Sequence, residues 1–313
     1  MKKFDSVVIG ELNADLILKG IPELVELGKE KIATDMLLTM GSASAIFASN
    51  LSKLGLKVGF IGKIGNDHFG EVVLSGLEKA NVNLDGIIRD NKSSTGITIA
   101  MTFPSDYAMV TYMGAMESFN VSDINYDYLS GARHIHFASY YLQPGMRPGC
   151  KEMFMKAKEF GLITSFDPGW DPSEKWEDDI LEVLPYVDYF LPNKNEAILI
   201  SKKRSVEEAL EYLSKHGNNI IIKKGREGIS AHINGNKYDK KVYKIVPIDT
   251  TGAGDSFNAG FIYGILNEKS IEECLDYGMA SGALACTIMG GSDSALNIYE
   301  LLEFIKIHSA ANL

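Results

Sequence analysis

The sequence is poor in features that would place it in several large protein classes. Its three cysteines, Cys150, Cys274 and Cys286, stand far apart, with no CxxC pair and no histidines paired at metal spacing. This argues against a disulfide framework and against a zinc site. Cys274 and Cys286 lie in apolar stretches and are expected in the core. No apolar run approaches the roughly 20 residues that span a bilayer, and the Met-Lys-Lys start leads into a short strand without a long apolar segment or cleavage site. The expectation is a cytoplasmic protein that makes no use of a membrane. Positive charge is scarce as well: 31 Lys and Arg stand against 41 Asp and Glu, a formal net charge of −10. No basic stripe with interleaved aromatics offsets it, so nucleic acid is not an expected partner. Also absent are a Gly-x-x-x-x-Gly-Lys-Ser/Thr loop and any His-Arg-Asp or Asp-Phe-Gly run. Internal repeats, low-complexity tracts and long linkers are missing too.

With 313 residues, 45% of them apolar, the chain can bury a large core, and a single domain over 1–313 is expected. Short β-branched or aromatic runs at Ser6–Ile9, Val58–Ile61, Ile135–Phe137, Leu162–Phe166, Tyr189–Leu191 and Asn219–Ile222 read as strands. Between them lie amphipathic stretches at Ala43–Leu54, Phe69–Lys79, Glu152–Phe160, Glu177–Leu184 and Val206–His216. This alternation predicts a parallel sheet with helices on both faces. The last third turns helical over Asp255–Leu266, Ile271–Met289 and Ile298–Ile307. Two regions break the rhythm with short apolar and polar alternation, about 11–40 and 95–113, and read as strands of a separate small sheet.

The most informative stretch is Asp249-Thr250-Thr251-Gly252-Ala253-Gly254-Asp255-Ser256-Phe257-Asn258-Ala259-Gly260-Phe261. It joins an expected strand end at Tyr243–Val246 to a helix with an apolar face of Phe257, Phe261 and Ile265. Two glycines let the backbone turn tightly, so unpaired amides converge at the helix start with the helix dipole behind them. That arrangement binds anions. A carboxylate in the same turn, Asp255, suits a base that deprotonates a hydroxyl as a phosphoryl group reaches it. Taken alone, Gly-Ala-Gly-Asp reads equally as a strand-to-helix turn with a capping Asp.

The whole stretch resembles the second signature of the PfkB/ribokinase family of carbohydrate kinases. Gly62-Lys63-Ile64-Gly65-Asn66-Asp67-His68-Phe69-Gly70 is similar to a second family turn, in which Asp67 also reads as a helix cap. The resemblance runs from Gly10 to about Ser294 and implies an α/β fold, a three-layer α/β/α ribokinase-like core with a small β-sheet lid formed by about 11–40 and 95–113. It also offers that lid as a homodimer surface. By resemblance Asp255 takes the catalytic base, and the amides of Gly252, Ala253 and Gly254 take the anion hole. Asn13 and Asp15 alternate along an extended segment and point the same way; the resemblance gives them substrate hydroxyls, with Gly41 and Ser42 beside them. Asn193, Lys223, Gly225 and Gly228 fall at nucleotide-binding positions, Lys223 standing where relatives usually carry Thr. Glu196 is placed to order Mg²⁺ through water, and Asn193 with Glu196 reads equally as a capping box. Asp249, Gly290 and Ser294 match a monovalent-cation cage for K⁺; an ordinary loop explains them as well.

The implied activity is an ATP-dependent sugar kinase, fructokinase-, ketodeoxygluconate kinase- or ribokinase-like, that phosphorylates a hydroxymethyl group with ATP and Mg²⁺ as cofactors. A nucleoside kinase of the same fold, with Phe103, Tyr107 and Tyr112 against a base, and a catalytically silent sugar sensor are the alternatives. Ile46 stands where ribokinase-like members carry an Asn toward the sugar, so ribose is expected to be a poor substrate.

Overall fold

The structure is a computed structural model that describes residues 2–104, 107–288 and 297–310. The chain opens with β1 (Phe4–Ile9), β2 (Asn13–Lys19) and β3 (Asp35–Met40), then α1 (Ala43–Lys53), β4 (Val58–Gly65) and α2 (His68–Lys79). Next come β5 (Asn83–Asp90), β6 (Gly96–Thr102), β7 (Tyr107–Tyr112), α3 (Tyr126–Ser130), β8 (Ala132–Phe137), α4 (Cys150–Glu159) and β9 (Ile163–Phe166). The second half runs β10 (Tyr189–Phe190), α5 (Lys194–Ser201), α6 (Val206–Leu213), β11 (Asn219–Lys223), β12 (Ile229–Ile233), β13 (Asn236–Lys240), α7 (Ala253–Leu266), α8 (Ile271–Ala285) and α9 (Ile298–Ala310).

A nine-stranded sheet takes the order β13-β12-β11-β10-β9-β8-β1-β4-β5. Its strands bury both faces, which is why they read as continuous apolar runs. Val7 and Ile9 enter one core with Phe137, Phe166 and Phe190, while Val8 between them enters the other with Phe60 and Phe261. The sheet is not wholly parallel as expected: β12 and β13 add an antiparallel meander to β11. Neither was anticipated, since Ile229–Ile233 is short and Asn236–Lys240 is polar along its length, as an exposed edge strand should be.

Two further expectations are corrected. Tyr243–Val246 is not a strand; it runs irregularly beyond edge strand β13, ending at Pro247, whose missing N–H removes a ladder donor, and Val246 is 85% exposed. Glu177–Leu184 forms short 3₁₀ turns over Asp178–Glu182 and Leu184–Tyr186, because Pro185 cannot sit inside an α-helix.

The small sheet has the order β3-β2-β6-β7 and is built from the two regions that broke the sequence rhythm. Because β2 follows β1 after a three-residue link, this sheet hangs at the carboxyl end of the main sheet. Strand β1 pairs in parallel with β4 on one side and β8 on the other, so the chain order reverses about it. A crevice opens at the carboxyl ends of strands around such a reversal.

Helices α7 and α8 pack at backbone distance. A Cβ on Gly260 would lie 2.5 Å from the Tyr277 carbonyl, and one on Gly264 would lie 2.9 Å from the Cα of Cys274. Helix α1 is tied to α7 by a 2.7 Å hydrogen bond from Asn50 Nδ2 to Ser256 Oγ. The start of α7 is thereby held against the crevice. Among the described residues no helix is long and apolar enough to cross a membrane.

Candidate active site

The residues that follow the strands converge in this crevice: Glu11 after β1, Ser139 after β8, Asp167 after β9, Asn193 after β10 and Lys223 at the end of β11. Helix α7 points its first turn at the same place. Gly252 caps it in the left-handed region at φ 71°, with no side chain serving as cap. The Ala253 amide donates to Thr250 O at 3.3 Å, whereas the amides of Gly254 and Asp255 have no partner among the described residues. The Asp255 carboxylate, half-buried beside them, also has neither a hydrogen-bond nor an ion-pair partner among the described residues. Burial pushes its pKa well up, Asp167, Glu11 and Glu196 add to the rise, and Lys223 opposes it.

Lys223 stands at the centre of the charges. Its ammonium is 2.6 Å from Asp167 Oδ2 and donates to Asn258 Oδ1 at 3.2 Å, and Asn258 Nδ2 donates to Asp167 Oδ2 at 2.6 Å. Burial disfavours the Lys223 charge, but Asp167, Glu196 and Asp255 outweigh it and raise the pKa. Asn193 and Glu196 form the expected capping box: Asn193 N and Nδ2 donate to Glu196 at 2.8 and 2.6 Å, and Glu196 N donates back at 3.0 Å. Glu196 is almost fully buried, and burial with Asp167 nearby raises its pKa.

A cavity of about 610 Å³ opens beside the first turn of α7, walled by Tyr243, Ile245, Phe257, Met279 and Ala283, with Lys223 at one edge. Gly225 and Gly228 line it at φ 55° and 88°; a Cβ on Gly228 would lie 1.9 Å from the Lys240 carbonyl, so the turn demands glycine there. Cys286, expected in the core, is half-buried and lines this cavity, because α8 ends at Ala285 and the chain turns out of the packed layer. Asp249 is half-buried and accepts from Thr251 N at 2.9 Å. Gly290 and Ser294 lie outside the described residues.

At the other end, Asn13 and Asp15 share a face of β2. Asn13 Nδ2 donates to Asp15 Oδ1 at 2.9 Å and to Thr98 Oγ1 of β6 at 3.1 Å. Gly41 gives the carboxylate room: a Cβ there would fall 2.0 Å from Asp15 Oδ1. Ser42, at φ 75°, spends its hydroxyl on structure, donating to Glu11 O at 2.5 Å and accepting from Ala45 N as the cap of α1. Burial raises the Asp15 pKa to about 7, Glu11 adding to the rise against the Asn13 hydrogen bond. A raised carboxyl pKa costs stability once the proton is gone. As pH rises from about 4 to 7 the unfolded chain gives up this proton first, so stability falls across that window, and the full cost stands above it. Asp15→Asn should therefore raise the melting temperature at pH 8 and leave it unchanged near pH 4; equal effects at both values would contradict the reading.

Glu11 lies between the two ends and went unnoticed in the sequence, although it sits inside a motif. It is 2% exposed and accepts from Ser44 Oγ at 2.5 Å, Ser139 Oγ at 2.9 Å and Ser44 N at 3.3 Å, all neutral donors. Asp167 and Asn258 were missed too, Asp167 because Asp-Pro after a strand reads as a turn. Asp67 does what a cap does, accepting from Gly70 N at 2.9 Å and from Thr95 N and Oγ1 at 2.8 and 2.7 Å.

The family description "pfkB family carbohydrate kinase" matches residues 3–297. The chain belongs to that family. It is a sugar kinase, an ATP-dependent phosphotransferase. A relative from Archaeoglobus fulgidus, called an uncharacterized sugar kinase, is 31% identical over 225 residues, 72% of this chain and 89% of its own. A 5-dehydro-2-deoxygluconokinase from Clostridium botulinum is 29% identical over 289 residues, 85% of this chain and 84% of its own. A putative ribokinase II from E. coli, solved with ATP and Mg²⁺, matches the fold of this kinase with a TM-score of 0.86 over 97% of this chain and all of its own, at 24% identity.

Proposed function

We propose that this kinase transfers the γ-phosphoryl group of ATP to a hydroxymethyl group of a small carbohydrate held between Asp15 and Asp255. The observation that carries the reading is the unpartnered Asp255 carboxylate beside unpartnered amides in the first turn of α7. The acceptor lies against Asn13, Asp15 and Gly41 under the small sheet, which acts as its lid. Asp255 takes the proton of the attacking hydroxyl as its oxygen bonds to the γ-phosphorus and the bond to ADP breaks. The 252–255 turn holds charge on the phosphoryl group in flight. ATP fits the 610 Å³ cavity, the base between Tyr243 and Met279 and the phosphates toward Lys223.

The residues present suit Mg²⁺. Asp167, Glu196 and Asp255 outnumber the ammonium of Lys223, leaving negative charge that a dication would balance. Mg²⁺ keeps several waters and is held partly by the nucleotide phosphates, so few protein oxygens suffice. Glu196 and Asp167 would hold it, and it would neutralise charge on the ATP phosphates. K⁺ near Asp249 and a homodimer through the exposed strand β7, where Tyr107 and Tyr112 are 60% and 57% exposed, belong to the same reading.

Asp15→Ala tests the placement of the two ends. The KM for the acceptor should rise at least about tenfold while the KM for ATP stays within about twofold, since one charge-assisted hydrogen bond to substrate is lost. A change confined to the ATP KM would reverse the assignment of the cleft.

A further inference from the structure

We propose that the acceptor end of this cleft selects uncharged sugars and polyols and rejects sugar acids, with Asp15 and Glu11 setting the discrimination. The proposal rests on the kinase reading above and narrows its substrate class.

A bound carboxylate needs a cation or several free donors close by. The acceptor end offers neither. Its fixed groups are the carboxylates of Asp15 and Glu11, and the charge of Glu11 also reaches Asp255. The neutral donors nearby are already engaged: Asn13 Nδ2 by Asp15 and Thr98, and Ser44, Ser139 and Gln143 by Glu11 or by backbone carbonyls. Among the described residues neither Asp15 nor Glu11 has an ion-pair partner; Glu11 is held by the neutral donors Ser44 and Ser139, and Asp15 by Asn13.

The cations near the crevice are either paired or stand at its nucleotide end, where Arg226 and Lys244 line the 610 Å³ cavity. Lys223 is bound by Asp167 at 2.6 Å and Asn258 at 3.2 Å, on the Asp255 side. Arg147, beyond Ser139, is held by Glu177 at 2.7 Å and Asp179 at 2.8 Å, and Lys63 on β4 by Asp123 at 2.8 Å. The residues outside the described ranges contain no Lys, Arg or His, so they bring no positive charge. The clostridial relative is named for a gluconate derivative, a compound with a carboxylate. A like charge a few ångström away in a half-buried site costs on the order of 100-fold in affinity. Hydroxyl groups meet no such penalty, and carboxylates are good acceptors for them.

The test uses acceptor pairs that differ only in a carboxylate for a hydroxymethyl group: 2-dehydro-3-deoxygluconate against 3-deoxyfructose, and gluconate against glucitol, within a wider set of neutral sugars. Two readouts are taken on the full chain at about pH 9, above the raised Asp15 pKa of about 7 so that its carboxylate is ionised: kcat/KM with MgATP and the thermal shift with a nonhydrolysable ATP analogue. The neutral members should lead their acids by about 100-fold in kcat/KM and give the larger shift. Glu11→Gln and, independently, Asp15→Asn should each improve the acid relative to its neutral partner by about five- to tenfold. Acids phosphorylated within threefold of their neutral partners, or better, would overturn the proposal and leave the kinase reading intact. A shift with neutral sugars alone, without phosphoryl transfer to any acceptor, would support the selectivity and sink the kinase reading. No shift and no transfer with any neutral compound would overturn the proposal.

Discussion

Asp255→Asn should lower turnover by a factor on the order of 10²–10⁴ while ATP binding changes little. Asparagine keeps the volume and the turn but cannot accept the proton of the attacking hydroxyl. The residual rate comes from the 252–255 amides and from positioning, which the substitution leaves in place. The pH profile carries a second signature. The base works only when ionised, and burial with the neighbouring carboxylates raises its pKa. The acid limb of kcat/KM in the parent protein should therefore lie above the ordinary aspartate range and be lost in the variant. Turnover within threefold of the parent would remove Asp255 from the reaction.

Lys223→Met should be the most damaging substitution to stability in the cleft. It leaves Asp167 and Glu196 buried and Asp255 half-buried with no counter-charge, and breaking a buried pair costs about 3–5 kcal/mol. The loss should be largest near pH 8 and shrink toward pH 5. Lys223 opposes the rise in the Glu196 and Asp255 pKa values, so without the ammonium these two rise further, take up protons as pH falls, and the penalty fades. Urea denaturation at the two pH values measures this. A deficit below about 1 kcal/mol at pH 8 would mean that the network is solvated and that Lys223 is not its keystone.

The sequence announced the start of α7 clearly, because Gly252, Gly254 and Asp255 act within one turn and local spacing determines what they can do. The small sheet was legible for a similar reason: Asn13–Lys19 and Gly96–Thr102 carry the two-residue period of strands with one face covered. What stayed hidden depends on which strand ends meet. Glu11, Ser139 and Asp167 are far apart in sequence and become neighbours only because β8 lies between β1 and β9. Nothing near Asp167 says that a lysine 56 positions later will sit 2.6 Å from it. Position 223 stood out as a departure from the family's Thr, and the contacts of Lys223 give that departure a physical meaning. Tyr243–Val246 misled for the opposite reason: its composition is that of a strand, but β13 already closes the sheet and Pro247 follows. Cys286 was assigned to the core from its apolar neighbours, before the end of α8 turned it toward the cavity.

Phosphorus NMR of the reaction mixture tests the central claim most directly. The protein is incubated with MgATP and neutral sugars until ADP accumulates, and the spectrum is recorded with proton coupling. The account predicts ADP and a new phosphomonoester in equal amounts, the monoester signal split by two protons of a CH₂ group, and neither product with Asp255→Asn on the same time scale. ADP accompanied only by inorganic phosphate, or a monoester split by a single proton, would contradict it.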